Sequence, residues 1–211
     1  MYTPKHFEEN RPEVLQRAVA DYPLGLLVTT GPSGLDASLL PFLLRPEAKS
    51  SGTLLAHVAR TNSIWRDAAD AQVLVVFQGP AAYVSPNWYP SKATDGSVVP
   101  TWNYVMVQAR GVLRVHDDRA WLRAHVTALT TRHERTQARP WAVDDAPADY
   151  VDKLLGAIVG LEIPLQSLVG KWKLSQNRPA PDREGVVQGL RALDDDGVAS
   201  ALAAWMLGSE R

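Results

Sequence analysis

The sequence predicts an α+β protein built on an antiparallel sheet or barrel with helices around it. Short apolar runs typical of strands are bounded by turn residues, and amphipathic segments typical of helices come between them at irregular intervals. A doubly wound parallel sheet would instead alternate strands and helices regularly. Neither G-x-G-x-x-G nor G-x-x-x-x-G-K-[ST] occurs in the chain, which excludes the Rossmann and P-loop folds.

The clearest strand pair is a hairpin. The apolar run at residues 24–30 ends at the turn cluster 31–34, after which residues 35–44 resume the apolar pattern. Further apolar or alternating runs predict strands at residues 53–58, 72–78, 104–115 and 157–165. We expect the last of these strands to end near Pro164, because proline removes a ladder hydrogen bond.

Amphipathic segments predict the helices. Residues 11–22 follow the capping residue Asn10, residues 63–71 form a short helix, and Asp117 and Asp118 precede a helix at 119–132. Asp196 precedes a last helix near the end of the chain. We therefore expect one domain over residues 1–211, with a barrel and its N-terminal and crossover helices at 1–165 and a helical extension at 166–211.

Composition excludes several classes of site. The 22 Lys and Arg residues nearly balance the 23 Asp and Glu residues, giving a net charge of −1, whereas nucleic-acid-binding domains are usually basic. An excess of arginine over residues 110–139 fits a solvated helix face better than a DNA contact surface. Cysteine is absent, which excludes disulfides and thiolate sites. The five histidines lack H-x-x-x-H spacing, and no metal site is predicted.

No membrane segment or targeting segment is evident in the sequence. No apolar run approaches the roughly 20 residues that span a bilayer. The segment that starts at Met1 lacks the apolar core of a signal peptide. These observations predict a cytoplasmic protein.

A first candidate site lies where the strand at 53–58 ends. Residues 60–63, Arg-Thr-Asn-Ser, follow it and open the short helix. Free N–H groups at a helix start attract anions, and a guanidinium adds two parallel hydrogen bonds to phosphate. The alternative is that this cluster only caps the helix while Arg60 lies in solvent. His57 is either a cofactor contact or a structural histidine.

Two later segments carry aromatic and cationic residues. The connection at 86–103 is too long for an ordinary loop, and it contains Trp88, Tyr89 and Trp102. Such loops act as lids, binding loops or interface arms, and aromatics buried at a dimer contact are the alternative. Residues 170–179 place two lysines and an arginine around small polar residues, a pattern that suits either an anion or a turn cap.

At these segments the sequence resembles the PaiB family of flavin-binding proteins. The matching stretches are spread in order over almost the whole chain, so the resemblance is more specific than any single motif. They are Met1-Tyr2-x-Pro4-Lys5-His6-Phe7, Pro23-Leu24-Gly25-Leu26-Leu27-Val28-Thr29, His57-Val58-Ala59-Arg60-x-Asn62, Tyr83-Val84-Ser85-Pro86-x-Trp88-Tyr89, Val99-Pro100-Thr101-Trp102-Asn103-Tyr104 and Lys173-Leu174-Ser175-Gln176-Asn177.

The resemblance implies an antiparallel split β-barrel related to pyridoxamine-phosphate oxidase and flavin reductases. In these proteins two protomers pack together and FMN lies in the crevice between them, so a homodimer is expected. Arg60 and Asn62 would hold the phosphate, other strand residues would line the ribityl chain and ring, and the lysines would contact an anion. The full set of residues implied for FMN is Ala37, Ser38, His57, Val58, Arg60, Asn62, Trp102, Asn103, Tyr104, Lys171 and Lys173.

One position departs from the family pattern. Members often carry a histidine just before the Leu-Pro of the second strand, where this chain has Leu39 before Leu40 and Pro41. If that histidine contacts the flavin or a substrate, Leu39 removes the contact and makes the site more apolar.

The family implies negative regulation of transcription, although no helix-turn-helix pattern is evident. The alternative is an NAD(P)H-dependent flavin oxidoreductase acting on a small substrate, in which the cofactor would carry out the hydride chemistry. A third reading is passive flavin binding. No G-x-S-x-G elbow occurs, no catalytic residue is predicted, and the sequence leaves open whether the protein is an enzyme.

Overall fold

The computed structural model describes residues 1–47, 51–94, 96–193 and 197–208. Its strands are β1 (Glu8–Glu9), β2 (Leu24–Gly31), β3 (Gly34–Pro41), β4 (Leu43–Arg45), β5 (Thr53–Ala59), β6 (Gln72–Val84), β7 (Thr101–Val112), β8 (Arg114–His116) and β9 (Ile158–Lys173). Its helices are α1 (Pro12–Asp21), α2 (Ile64–Asp67), α3 (Arg119–Glu134), α4 (Ala148–Gly156), α5 (Ala180–Arg191) and α6 (Val198–Gly208). Short 3-10 turns lie at Lys5–Phe7, Pro86–Trp88, Pro90–Ala93 and Val143–Asp145. The predicted helix start at Asp196 lies outside the described residues.

The chain forms two compact units, and each is described by itself. The first unit comprises Met1–Ala18, Gln78–Val107 and Val169–Arg211. The second unit comprises Val19–Phe77 and Gln108–Leu168. The organisation expected from the sequence, a barrel at 1–165 with a helical extension at 166–211, stays a prediction.

In the second unit, β2 and β3 form the predicted antiparallel hairpin, whose register closes at Gly31↔Gly34. Side chains alternate along β2, so that Leu27 is buried whereas Leu26 is exposed. β2 also pairs with β6. β5 pairs with β4 and with β9, and β9 pairs in turn with β8. All of these pairs are antiparallel, as the sequence predicts.

Helix α3 begins where the sequence predicts a cap, because the Asp118 carboxylate accepts a hydrogen bond from the backbone N–H of Trp121 at 2.7 Å. The Trp121 ring packs on β9 at Gly160, where an added Cβ would lie 2.2 Å from the ring. The ring also stacks on His116 and on His125, with centroid distances of 4.4 and 5.3 Å. This close approach of ring and backbone requires the glycine.

Helix α4 is not predicted by the sequence, and it completes the apolar core beside α3. No side chain caps its start at Pro147, so the sequence carries no capping signal there. Its buried residues join those of α3 and the preceding 3-10 turn in one cluster, made of Leu122, Val143, Val151 and Leu155.

In the first unit, β1 pairs with β9, and α5 packs on the turns that follow β6. The Asp182 carboxylate accepts hydrogen bonds from the backbone N–H and the hydroxyl of Ser91, at 3.0 and 2.7 Å. The Trp88 ring lies against the backbone of α5 at Gly189. These contacts hold the aromatic segment that follows β6 against α5, which lies in the helical extension expected at 166–211 but whose bounds the sequence does not predict.

The predicted end of β9 near Pro164 is wrong, because the strand continues to Lys173. Pro164 stands opposite Thr53 at the end of the ladder with β5. The next N–H, that of Leu165, donates to the carbonyl of Gly52 at 2.9 Å, and the chain stays extended. The proline therefore ends one ladder without ending the strand.

Other boundaries also differ from the prediction. The run predicted at 35–44 is divided into β3 and β4, and the strand predicted at 104–115 is divided into β7 and β8. β6 continues to Val84 instead of ending at Gln78. The helix predicted for 63–71 is reduced to α2, because Asp70 adopts a φ of 58° and its N–H donates to the carbonyl of Leu113 at 2.8 Å. None of the helices in the described ranges combines the length and the apolar character that crossing a bilayer requires.

Candidate functional site

The first unit carries a surface that we call the aromatic–cationic face, made of Tyr83, Trp102, Tyr104, Lys171 and Lys173. Alternation along β7 places Trp102 and Tyr104 on one side of the strand, and alternation along β9 does the same for the two lysines. The Lys173 Nζ donates to the backbone carbonyl of Trp102 at 2.6 Å. The Lys171 Nζ lies 5.6 Å from the centre of the Tyr104 ring, within the range of a cation–π contact.

The cations of this face repel one another. Burial lowers the pKa of Lys173, and the nearby positive charges of Lys171 and Arg178 lower it further. The ammonium group also donates to the Thr101 hydroxyl. A bound anion would relieve this repulsion, so the cluster has the electrostatics of a site for phosphate.

The same face presents aromatic surface. Trp102 is 56% exposed, which is unusual for so large an apolar side chain. Tyr83 is also exposed, and its ring meets that of Trp102 edge to face, with the centroids 6.3 Å apart. Planar, amphipathic rings in this position suit a ligand that carries a ring system of its own.

Asn103 lies between Trp102 and Tyr104 in the sequence but points to the opposite, buried side of β7. Its Nδ2 donates to the Ser175 hydroxyl at 2.9 Å, and its buried Oδ1 has no partner among the described residues. The structure thus brings together four of the five residues predicted here from β7 and β9. A direct contact of Asn103 with a cofactor stays a prediction.

In the second unit, Arg60 makes protein contacts with each nitrogen of its guanidinium. Nη1 and Nη2 donate to the two carboxylate oxygens of Asp117, and Nε and Nη2 donate to the carbonyls of Gly156 and Ile158. The hydrogen-bonded carboxylate raises the pKa of Arg60, and the guanidinium lowers that of Asp117. The phosphate contact predicted for Arg60 would have to compete with this ion pair.

The remaining predicted residues lie on β3, on β5 and in the turn after β5. The Asn62 Oδ1 accepts a hydrogen bond from the N–H of Ile64 at 3.0 Å, which is a cap-like contact at the start of α2. Val58 is buried in the core of the unit. Ala37 and Ser38 pair with β2, whereas His57 and Val58 pair with β9. Their contacts with a cofactor stay predictions.

Leu39, the position that departs from the family pattern, is 59% exposed on β3. Its cross-strand partner is Leu26, which is also exposed. The two leucines therefore form an exposed apolar pair on the hairpin, and the effect of Leu39 on a cofactor site stays a prediction.

Sequence reasoning does not assign a site role to Thr101 or His125, and it includes Arg178 only as the arginine of the cluster at 170–179. His125 lies on α3 and is buried there. A histidine on a buried helix face is the pattern that could have drawn attention to it.

The donor set of the first unit fits FMN. Clustered cations suit the phosphate monoester, and the exposed indole of Trp102 suits a flat ring system. Lys171, Lys173 and Arg178 provide the charge, and Tyr83, Trp102 and Tyr104 provide the aromatic surface.

Comparison with known proteins places the chain in a family. The family model described as "Putative FMN-binding domain" matches residues 1–167. The Bacillus subtilis protein named "Protease synthase and sporulation protein PAI 2" is 31% identical, over 90% of this chain and 89% of that protein. An uncharacterised protein of Emericella nidulans is 34% identical, over 93% of this chain and 92% of the relative.

Solved structures share the fold at low sequence identity. The flavocytochrome Anf3 from Azotobacter vinelandii has a TM-score of 0.59 at 11% identity, covering 94% of this chain and 78% of its own. The FAD and haem binding protein from Mycobacterium smegmatis has a TM-score of 0.57 at 16% identity, covering 84% and 78%. These structures confirm the predicted α+β split-barrel fold. The family model confirms the predicted cofactor, FMN. The chain belongs to the PaiB-type family of FMN-binding proteins.

Proposed function

We propose that this FMN-binding protein acts as a homodimeric, cytoplasmic, PaiB-type negative regulator of transcription, and that the aromatic–cationic face of the first unit holds the cofactor. The observation that carries the assignment of the face is the position of the Lys173 Nζ, which donates to the carbonyl of the exposed Trp102 at 2.6 Å. The positive charges of Lys171 and Arg178 lie near this ammonium group and repel it. A dianionic phosphate removes that repulsion, and the ring system covers apolar surface that is otherwise in water.

The residues of the face have separate tasks. The Lys173 Nζ is oriented by the carbonyl of Trp102 and the hydroxyl of Thr101, so its charge has a defined position. Lys171 is held by the carbonyl of Tyr2 at 3.1 Å. Trp102 and Tyr83 would exclude water from one side of the ring system. Bound FMN supplies hydride and single-electron chemistry.

The dimer is proposed from the exposed leucines of the β2–β3 hairpin. Leu24, Leu26, Leu35 and Leu39 are all exposed on this one hairpin, and apolar residues clustered on a surface mark contact sites. A second copy of the chain would cover them.

The proposed role as a regulator rests on the family and on the Bacillus subtilis relative, whose name refers to protease synthase and sporulation.

Binding of FMN and of riboflavin to the purified chain tests the site, since the two ligands differ only by the phosphate. We expect Lys173→Met to lower the affinity for FMN by about tenfold, the size of a lost charge-assisted hydrogen bond, and to leave the affinity for riboflavin nearly unchanged. The matched control is Lys153→Met, at an exposed lysine of α4. Arg60→Ala compares the two phosphate assignments directly. If Arg60→Ala selectively loses FMN binding while Lys173→Met does not, then Arg60 and not Lys173 binds the phosphate.

A second experiment separates regulation from catalysis. The FMN-loaded protein is mixed with NADH or NADPH without oxygen, and the flavin absorbance is followed. A regulator should keep its colour over minutes and should bind promoter DNA in a salt-dependent manner, alone or with a partner protein. Rapid bleaching without DNA binding would instead identify an oxidoreductase.

A further inference from the structure

A cavity of about 300 Å³ lies within the second unit, beside α3 and α4. Its walls are almost entirely apolar and include Val126, Ala146 and Leu155. The volume falls at the lower end of the range of small-molecule sites in proteins. It therefore suits a molecule with one or two rings, much smaller than FMN.

The rim of the cavity exposes large apolar side chains to water. Trp141 is 47% exposed although it lines the cavity, and Tyr150 and Leu154 are exposed to a similar extent. Exposed aromatic residues grouped around an apolar cavity are typical of a ligand entrance, because a ligand removes their surface from water.

Besides Thr130, Trp141 and Tyr150, which carry polar groups of their own, His57 interrupts the apolar lining, and it does so with a defined geometry. His57 lines the cavity, and its Nδ1 lies 3.1 Å from the Nε2 of His125. His125 is only 3% exposed and stacks on Trp121. Within the described part of the chain, the Nδ1 of His125 is buried without a hydrogen-bond partner.

This pair of rings sets the direction of the hydrogen bond. A buried N–H without a partner is less tolerable than a buried lone pair. His125 therefore carries its proton on Nε2 and donates it to the Nδ1 of His57. His57 in turn carries its proton on Nε2, and this N–H is the group left to donate to a ligand.

We propose that this cavity binds a small neutral aromatic molecule with one hydrogen-bond acceptor, such as a ketone oxygen, held by the Nε2–H of His57. Burial lowers the pKa of His57, so the ring is neutral at pH 7 and does not favour an anion. The site lies within the second unit, and the proposal goes beyond the FMN site of the first unit.

The test uses two fluorinated probes of matched shape, 4-fluoroacetophenone and 1-ethyl-4-fluorobenzene, titrated onto the FMN-containing protein by ¹⁹F NMR. Both should bind the wild type. His57→Phe keeps an aromatic ring but removes the donor. The affinity for the ketone should therefore fall about tenfold, as for a lost buried hydrogen bond, while the affinity for the hydrocarbon should change less than about twofold. Equal effects on both probes, or no effect, would overturn the role of His57.

Filling the cavity provides an independent check. Ala146→Trp should abolish binding of both probes, whereas Ala128→Trp, the same change on the exposed face of α3, should leave both unchanged. Flavin absorbance shows in each case that the variant is folded and loaded. Unchanged binding in Ala146→Trp overturns the proposal. Absence of FMN from the wild type would contradict the cofactor site alone, since probe binding is measured separately.

Discussion

At the scale of single residues, the pairing of His57 with His125 places two titratable rings where protonation is unfavourable. Burial, together with the neighbouring His57, lowers the pKa of His125 from its ordinary value of 6.5 to about 4. Burial also lowers the pKa of His57. Because removal from water disfavours the charged form of both rings, the folded protein resists taking up a proton there.

The first prediction is a loss of stability in mild acid. Between pH 6.5 and pH 4 the unfolded chain binds a proton at His125 that the folded chain does not, so the free energy of unfolding falls as the pH falls. The loss from this residue amounts to about 3 kcal/mol across the window. Urea denaturation at pH 7 and pH 4.5 measures it. His125→Gln, which cannot titrate, should show a shallower pH dependence, and an unchanged slope would contradict the assignment.

The second prediction concerns the buried pair of Asn103 and Ser175, joined at 2.9 Å. Asn103→Ala should destabilise the protein by about 1–3 kcal/mol, because it leaves the Ser175 hydroxyl buried without this donor. Ser175→Ala should also destabilise. The double variant should lose about 1 kcal/mol less than the sum of the single variants, since both remove one interaction. Additive losses in urea denaturation would show that the hydrogen bond contributes nothing.

At the scale of elements, α5 contains two glycines that its contact with the segment at Trp88 requires. Glycine inside a helix usually destabilises it relative to alanine. At Gly189, however, an added Cβ would lie 2.3 Å from the Trp88 ring, and at Gly185 it would lie 2.0 Å from the Trp88 carbonyl. The helix therefore needs its glycines in order to approach the chain beside it.

The third prediction follows from this contact. Gly189→Ala should lower the free energy of unfolding by about 1–3 kcal/mol through overpacking, despite the better helix propensity of alanine. Gly208→Ala, where an added Cβ meets nothing within 4 Å, should change stability by less than about 0.5 kcal/mol. Combining Gly189→Ala with Trp88→Ala should reduce the penalty of the first change. A stabilised Gly189→Ala variant would rule out the close approach.

Element types were predictable where the local pattern was strong. The period-two alternation of β7 is confirmed, with Val105, Val107 and Ala109 buried on one face. The continuation of β9 beyond Pro164 was not predictable, because the hydrogen bond that keeps the chain extended comes from a distant loop.

The candidate site was predictable only in part, for a similar reason. The aromatic and cationic residue types of the first unit could be recognised from their segments and from the family. The partner of Arg60, Asp117, lies 57 positions away in the sequence, and His57 and His125 lie 68 positions apart. No local pattern encodes such contacts, so the protein partners of Arg60 and the buried histidine pair became visible only in three dimensions.

At the scale of the whole molecule, the exposed leucines of the β2–β3 hairpin bear on assembly. Leu26 and Leu39 are direct cross-strand neighbours, and both are exposed. An uncovered apolar pair on a sheet favours association with a second surface.

The fourth prediction is that Leu26→Lys combined with Leu39→Lys produces a monomer. The dimer interface would then bury four positive charges, two from each protomer, without partners, and this is strongly unfavourable. Light scattering coupled to gel filtration should give twice the chain mass for the wild type and the single chain mass for the variant. Leu193→Lys, at an exposed leucine after α5, is the control and should stay dimeric. A monomeric wild type would refute the dimer.

The position of Trp121 has an optical consequence. Its indole lies nearly parallel to His116, at an interplanar angle of 3°, and it also stacks on His125 at 23°. A protonated imidazole in contact with an indole quenches the emission of that indole. Subtracting the emission of a Trp121→Phe variant from that of the wild type would isolate this one fluorophore. The protein therefore contains an internal indicator whose brightness reports the charge of His125 beside it.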